Sequence, residues 1–268
     1  MSFPLLGRHN ERVKLIRALH TAAGRERIGC FLAEGPRVVS ELLHSAFPVR
    51  LLLCRAREEH YWSELAAAAV KNGAEVYEAE EQLLEQLSPA KTSQGVLAVA
   101  ELPSYTWEHL LSCARIVVLE GIQDPGNVGT LLRSARAFGF AGALCLGGAD
   151  PFNARAVRSS AGAVFALPIL RFSAGGEISE WLKPLQKGGF ALITAVAHGG
   201  VSLPQTTFPN RAALLLGAEV SGVSAEASGA AAVEVTIPLE GNCESLNVAV
   251  AGSVLMYEMS RRVITDFN

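Results

Sequence analysis

Several features that would announce a function are missing from this sequence. No apolar run approaches the ~20 residues of a membrane span, and the start, Met1-Ser2-Phe3-Pro4-Leu5-Leu6-Gly7-Arg8, is charged too soon for a signal peptide. A soluble, cytoplasmic protein is expected. The five cysteines, Cys30, Cys54, Cys113, Cys145 and Cys243, are odd in number, scattered and never in a Cys-x-x-Cys pair. That excludes a disulfide framework or a cysteine zinc site and predicts reduced, mostly buried thiols. The histidines His9, His20, His44, His60, His109 and His198 show no metal-ligand spacing, so no metal is expected. There is no Gly-x-Ser-x-Gly elbow and no Gly-x-Gly-x-x-Gly after a strand. The stretch Leu214 to Ser224 has Gly217 and Gly222 in the spacing of a phosphate loop, but Val223 stands where that loop needs lysine and Glu219 would repel phosphate. A basic surplus is missing too: the net charge is −3, and composition alone gives no encouragement to nucleic-acid binding.

What is present is a chain of 268 residues, 50% hydrophobic, enough for one large domain or two ordinary ones. Residues 10 to 22 carry Val13, Ile16 and Leu19 at helical spacing and read as an amphipathic helix. Ile28 to Ala33 reads as a strand, Glu34-Gly35-Pro36 as a turn and Val38 to Ala46 as a helix. Val49 to Leu53, Glu75 to Tyr77 and Gly95 to Ala100 follow as strands, with helices at Glu59 to Lys71 and Glu80 to Leu87, which makes a small α/β layer domain. Locally, Arg8, Arg12, Lys14, Arg17, Arg25 and Arg27 outnumber Glu11 and Glu26, whereas Glu75 to Glu85 is acidic. Such a run is more often a solvated helix face than a binding surface. A linker at Leu102-Pro103-Ser104-Tyr105 divides the chain into residues 1–103 and 104–268.

The second part repeats the alternation with stronger strands: Arg115 to Glu120, Ala143 to Leu146, Pro168 to Leu170, Phe190 to Ala195, Ala212 to Leu216 and Val233 to Ile237. Helices are expected over Val128 to Phe138, Asn153 to Ala163, Ile178 to Lys187 and Leu246 to Val263. Six strands with interleaved helices imply a doubly wound, mainly parallel sheet. Asn127 stands where a helix N-cap belongs, and Val128, Leu131, Leu132, Ala135 and Phe138 form the buried stripe, leaving Arg133 and Arg136 off it. Periodicity alone makes those two solvated. The third stretch, Ile237-Pro238-Leu239 through Ser245-Leu246-Asn247, is a polar loop between a strand that ends at a proline and a helix that Ser245 or Asn247 can cap. A parallel sheet binds ligands at such a place.

Taken in order, these stretches resemble the three motifs of the SpoU/TrmH family of RNA ribose 2′-O-methyltransferases, in the SPOUT superfamily. Asn127-Val128-Gly129 with Arg133-Ser134-Ala135 is similar to the first, Leu216 to Gly222 to the second, and Ile237-Pro238-Leu239 through Ser245-Leu246-Asn247 to Tyr257-Glu258 to the third. Ser160-Ala161-Gly162-Ala163 resembles the segment between motifs, although Ala249 replaces a serine common in the family. Phe31 to Pro36 and Gln94 to Val99 resemble the substrate-binding domain that often precedes the catalytic one, a module similar to kink-turn-binding ribosomal proteins. The resemblance implies a C-terminal sheet tied in a trefoil knot, a homodimer formed by that domain, and S-adenosylmethionine as cofactor. It places the cofactor near Thr194, Ala195, Leu216, Gly217, Ile237 and Leu239, closed in by Ser245, Leu246 and Asn247. It makes Arg133 the catalytic residue, as base or as the group that orients phosphate and hydroxyl, with Asn127, Glu219 and Asn247 positioning it. The RNA would be rRNA or tRNA. A non-catalytic RNA-binding or ribosome-assembly protein that kept the fold is the alternative, and base methylation is disfavoured by the lack of an evident cysteine nucleophile.

Overall fold

The structure is a computed structural model that describes residues 3–173, 175–241 and 245–262. These fall into two compact units, Met1–Ser104 with Pro151–Ala166, and Tyr105–Asp150 with Leu167–Asn268.

In chain order the first unit begins with α1 (Glu11–Ala18), α2 (Ala22–Ile28), β1 (Cys30–Glu34), α3 (Pro36–Leu43) and β2 (Val49–Arg55). It continues with α4 (Glu59–Lys71), β3 (Glu75–Ala79), α5 (Glu81–Leu87) and β4 (Val96–Glu101). The single helix expected over 10 to 22 is two. Thr21 interrupts it in extended conformation and caps the second helix, its Oγ1 accepting from the Gly24 N–H at 3.0 Å. Ile28 therefore ends a helix instead of opening a strand, and the left-handed Gly29 (φ 68°) turns the chain into β1. The sheet order is β1-β4-β2-β3, with β2 and β3 parallel and β4 antiparallel to both its neighbours.

The chain then enters the second unit with α6 (Trp107–Leu111), β5 (Arg115–Glu120), α7 (Pro125–Ala137) and β6 (Gly142–Leu146). It returns to the first unit for α8 (Ala154–Ser159). That return is explained by packing: Phe152 lies 5.2 Å from Phe31 between ring centroids, Phe165 lies 5.6 Å from Phe47, and α8 packs on β1. Glu34, 2% exposed, is held there by Arg158 (3.1 Å), Ser88 (2.6 Å) and the Gln94 N–H (3.2 Å).

The second unit is completed by β7 (Ile169–Phe172), α9 (Ile178–Lys187), β8 (Ala191–Ala195), β9 (Val201–Ser202), β10 (Ala212–Leu216), α10 (Ala225–Gly229), β11 (Val233–Thr236) and α11 (Val248–Arg261). Among the described residues its sheet has seven strands in the order β7-β6-β5-β10-β8-β11-β9. Every pair is parallel. The six strands read from the sequence are all there; β6 and β10 are buried along their whole length, and such parallel strands are apolar throughout. The two-residue β9 and the short α6 and α10 carry too little periodicity to be seen. α11 packs on α7 and β10. Gly252 permits the close approach: a Cβ there would stand 2.4 Å from Leu131 Cδ2 and 2.6 Å from Leu216 Cδ1. Ser134 and Ser253 join the two helices by a hydroxyl hydrogen bond of 2.7 Å. No helix among the described residues is long and apolar enough to cross a membrane.

Candidate active site

The carboxyl ends of β8, β10 and β11 surround a cavity of about 530 Å³. It is lined by Ala195 just where β8 ends, by Leu216, Gly217 and Glu219 after β10, by Ile237 and Leu239 after β11, and by Ser245, Leu246 and Asn247 before α11. Eight of the nine positions expected to meet a cofactor thus share one cavity wall. The ninth, Thr194, is adjacent but wholly buried, and its Oγ1 has no hydrogen-bond partner among the described residues. His198, Val248, Ala251 and Leu255 also line the cavity and were not singled out by sequence. Their only signal is position, at the exit of β8 and on the face of α11 that looks back at the sheet.

Local sequence explains the loops. Gly217 is buried, and a Cβ on it would stand 2.0 Å from the Gly222 carbonyl carbon and 2.1 Å from the Val223 nitrogen. The glycine is needed so that the loop can fold on itself, a turn closed by the Gly222 N–H donating to the Ala218 carbonyl at 2.9 Å. Beyond the turn, the Ser224 N–H reaches both carboxylate oxygens of Glu120 at 3.2 Å, which pins the loop to the end of β5. Asn247, with Ser245 upstream, is the N-cap of α11, its Oδ1 accepting from the Ala249 and Val250 N–H groups at 2.9 and 3.3 Å. The helix therefore starts at Val248, two residues later than Leu246. Ala249 is 4% exposed, so the position that departs from the family serine is a packed one. Cys243 lies outside the described residues; Cys30, Cys54, Cys113 and Cys145 are free and buried.

At α7 the structure corrects the cap. Asp124, not Asn127, is the N-cap: its Oδ1 accepts from the Gly126 N–H at 2.5 Å and the Asn127 N–H at 3.4 Å, and Pro125 fills the first helical position, where no N–H is needed. Freed from capping, the Asn127 side chain donates to Glu219 Oε1 at 2.8 Å and accepts from Asn247 Nδ2 at 3.3 Å. Three residues far apart in sequence thus form one hydrogen-bonded chain, and two of them line the cavity. Burial pushes the Glu219 carboxyl up, but the Asn127 amide and the backbone of Glu219, Gln123 and Asp124 outweigh it and hold the group below the ordinary carboxylate range. It is an anion at neutral pH. Arg133 sits two turns into the same helix, exposed, with no hydrogen bond or ion pair among the described residues. Arg133 makes no hydrogen bond to Asn127, which is engaged by Glu219 and Asn247 instead. Among the described residues no group of histidine, cysteine and carboxylate side chains could hold a metal.

A parallel sheet with a ligand-sized cavity at its carboxyl edge, walled by a glycine loop and a helix cap, defines an α/β protein built to hold a small molecule. Comparison with known proteins gives the family. Residues 114–257 match the SpoU rRNA methylase family and residues 10–98 an MRM3-like substrate-binding domain. The chain belongs to the SpoU rRNA methylase family. It is 31% identical over 251 residues to the 23S rRNA (guanosine(2553)-2′-O)-methyltransferase RlmP of Bacillus subtilis, covering 93% of this chain and 96% of that protein. It is 30% identical to the 23S rRNA (uridine(2479)-2′-O)-methyltransferase of Streptomyces viridochromogenes, covering 90% of this chain and 86% of that one. Among solved structures, the AdoMet-bound rRNA methyltransferase from Sinorhizobium meliloti superposes with a TM-score of 0.84 at 26% identity, covering 97% of this chain and 98% of that one. AviRb from Streptomyces viridochromogenes in complex with AdoMet gives 0.82 at 30%, covering 94% and 98%.

Proposed function

We infer that this chain is an S-adenosylmethionine-dependent RNA ribose 2′-O-methyltransferase acting on large-subunit ribosomal RNA. The observation that carries the reading is the cavity at the ends of β8, β10 and β11, whose wall shares Glu219 and Asn247 with the network to Asn127. The cavity fits the cofactor. Its volume of about 530 Å³ lies within the range of small-molecule sites, Leu216, Ile237, Leu239 and Leu246 offer apolar surface to an aromatic base, and the Glu219 carboxylate offers a counter-charge to a cation. When bound, S-adenosylmethionine supplies a methyl group on a positively charged sulfur.

The protein's own task is to present the ribose hydroxyl in line and to deal with its proton. Arg133 is the residue for this: it is charged, exposed and uncommitted, so it can take an RNA phosphate and orient the neighbouring 2′-hydroxyl. A guanidinium keeps its proton at any ordinary pH, which favours orientation over proton removal. Asn127, Glu219 and Asn247 hold the first turn of α7 to the cavity loops. Among the described residues the four cysteines are buried, with Cys54 and Cys145 pushed up to about 12 by burial, and none of these four offers a thiolate to attack a base.

The C-terminal segment of the sheet forms a trefoil knot, a reading supported by α11 returning onto α7 and β10. The protein is a homodimer through α11, where Val250, Val254 and Tyr257 stay 51%, 36% and 43% exposed. It works in the cytoplasm, where ribosomal RNA is modified. The test is methyl transfer from labelled S-adenosylmethionine to an unmodified 23S rRNA transcript, followed by mapping of 2′-O-methylated riboses, with calorimetry of cofactor binding alongside. Cofactor binding and one mapped ribose are expected. RNA binding without either would establish the non-catalytic alternative.

A further inference from the structure

The cavity at the ends of β8, β10 and β11 has a polar side chain in its wall that the chemistry above leaves unused. Among the described residues that line it, His198 and Glu219 are the ionisable ones, and no lysine or arginine stands with them. They come from neighbouring loops. In the sheet β8 lies between β10 and β11, so the loop after β8, which carries His198, stands between the glycine loop that carries Glu219 and the strand end that leads to Ile237.

The loop is held at both ends. β11 lies between β8 and β9, so residues 196–200 have to cross the end of β11 to reach β9. The Val196 N–H donates to the Val235 carbonyl at 3.0 Å, and the Gly200 N–H donates to Thr236 Oγ1 at 3.0 Å. Two glycines make the crossing fit. Gly199 turns the chain through the left-handed region at φ 82°, and a Cβ on Gly200 would stand 2.8 Å from the Glu234 carbonyl oxygen. His198 is thus presented from a pinned loop, exposed, with no hydrogen bond or ion pair among the described residues. Its polar neighbours are committed: Glu219 accepts from Asn127 and from the backbone of Gln123 and Asp124, and Asn247 caps α11 and donates to Asn127.

S-adenosylmethionine carries a positive sulfur, and its methionine end carries an ammonium and a carboxylate. The apolar side chains Leu216, Ile237 and Leu239 suit the adenine, and the Glu219 anion attracts the positive groups but repels the carboxylate. That leaves His198 as the ionisable side chain of the wall that can donate to the carboxylate. Its exposure agrees with this, since a charged ligand end binds at lower cost where water still reaches it. We propose that His198 anchors the methionine end of the cofactor, an imidazole N–H donating to the α-carboxylate, with Glu219 keeping that carboxylate on the β8 side of the cavity. The ring thereby selects cofactors that carry the carboxylate over sulfonium nucleosides that lack it. The proposal rests on the S-adenosylmethionine reading and assigns it a residue that no local pattern in the sequence marks.

Calorimetry on the full chain without RNA tests it, with two ligands against two proteins. The ligands are S-adenosylmethionine and decarboxylated S-adenosylmethionine, which keeps the adenosine, the sulfonium and the ammonium. The proteins are the wild type and His198→Ala, whose exposed loop position leaves the core intact, as an unchanged urea transition would verify. His198→Ala should bind S-adenosylmethionine about 10-fold more weakly, the worth of one hydrogen bond to a charged group, and should bind the decarboxylated compound as the wild type does. The wild type should itself prefer S-adenosylmethionine about 10-fold over the decarboxylated compound, and His198→Ala should lose that preference. Undiminished binding of S-adenosylmethionine by His198→Ala overturns the proposal and leaves the cofactor reading standing. An equal loss for both ligands also overturns it, because His198 would then touch a part of the molecule that the two share. A wild type that binds neither ligand ends the cofactor reading itself, and the anchor with it.

Discussion

Arg12, Arg25 and Arg50 of the first unit and Arg133 of the second are used in opposite ways. In the first unit Arg12 meets Glu75 at 2.5 Å, Arg50 meets Glu101 at 2.8 Å, and Arg25, 3% exposed, donates to the carbonyl of Leu19 at 3.0 Å. In the second unit Arg133 stands on α7 with no partner among the described residues, one helix face away from a committed network of Asn127, Glu219 and Asn247. The difference teaches that a run of basic residues and a basic surface are different things. Most of the charge between Arg8 and Arg27 is spent on carboxylates and carbonyls brought in by the fold, whereas the lone Arg133 is left for something outside the protein.

The sharpest way to break this contrast is Arg133→Ala. A merely solvated arginine would be worth at most about 0.5 kcal/mol in stability and nothing in transfer. A residue that orients the hydroxyl should cost roughly 10²- to 10⁴-fold in single-turnover methyl transfer, with cofactor affinity by calorimetry unmoved. Arg136→Ala, one turn on, should transfer near normally. Equal loss from both variants would make α7 a shared RNA-binding face and end the special role of Arg133.

A second expectation concerns the loop that the network closes. In Gly217→Val the new Cβ meets backbone of Gly222 and Val223, which cannot yield as a flexible side chain would. The loop must move, so cofactor affinity should fall by about 10-fold or more while the protein stays folded, since the clash lies at the cavity edge. Calorimetry on a variant with a normal urea transition decides it: undiminished affinity would take the loop out of the cofactor site.

Much of this was legible in the sequence, and the failures have physical reasons. The central strands of the second unit announce themselves because strands buried on both faces are continuously apolar, as in Ile116 to Leu119 and Ala212 to Leu216. The cap of α7 was misread because Asp124 and Asn127 are both good cap residues, and only Pro125, pre-set for the first helical position, tells them apart. The pairing of Asn127 with Glu219 and Asn247 spans 92 and 120 residues, and no local pattern encodes it. Family resemblance, not spacing, brought those residues together. The pairing of Arg12 is hidden for a related reason: Glu75, which neutralises it, lies 63 residues downstream.

Glu219→Gln sharpens the comparison more gently, since it removes a charge but keeps an acceptor for Asn127. Transfer should fall by about 10-fold, because the network loses a charge-assisted hydrogen bond and not its shape. The pH dependence follows from the direction of the shift. With the folded carboxyl below its unfolded value, the stabilisation it gives is complete above the unfolded value, near pH 4.3, and is lost as pH falls through the folded one. Unfolding free energy of the wild type minus that of Glu219→Gln should therefore be flat above about pH 5 and shrink only in acid. A difference that changed between pH 6 and 8 would mean another group titrates in the network.

The smallest effect is expected at Arg12. Its pair with Glu75 leaves the two side chains 36% and 53% exposed, so water and salt screen it, and a double-mutant cycle in urea with Arg12→Ala and Glu75→Ala should return less than about 1 kcal/mol. Arg12→Ala should also leave RNA binding nearly unchanged, because a guanidinium already neutralised by a carboxylate releases few counterions from phosphate. Arg17 and Arg27 are exposed on the same two helices with no partner among the described residues. If the first unit contributes electrostatically to RNA affinity, each of Arg17→Ala and Arg27→Ala should lower the slope of log affinity against log salt by about 1, and Arg12→Ala should not. Equal slopes for all three variants would show that pairing with Glu75 does not withdraw Arg12 from the RNA, and the contrast between spent and free arginines would lose its footing in the first unit.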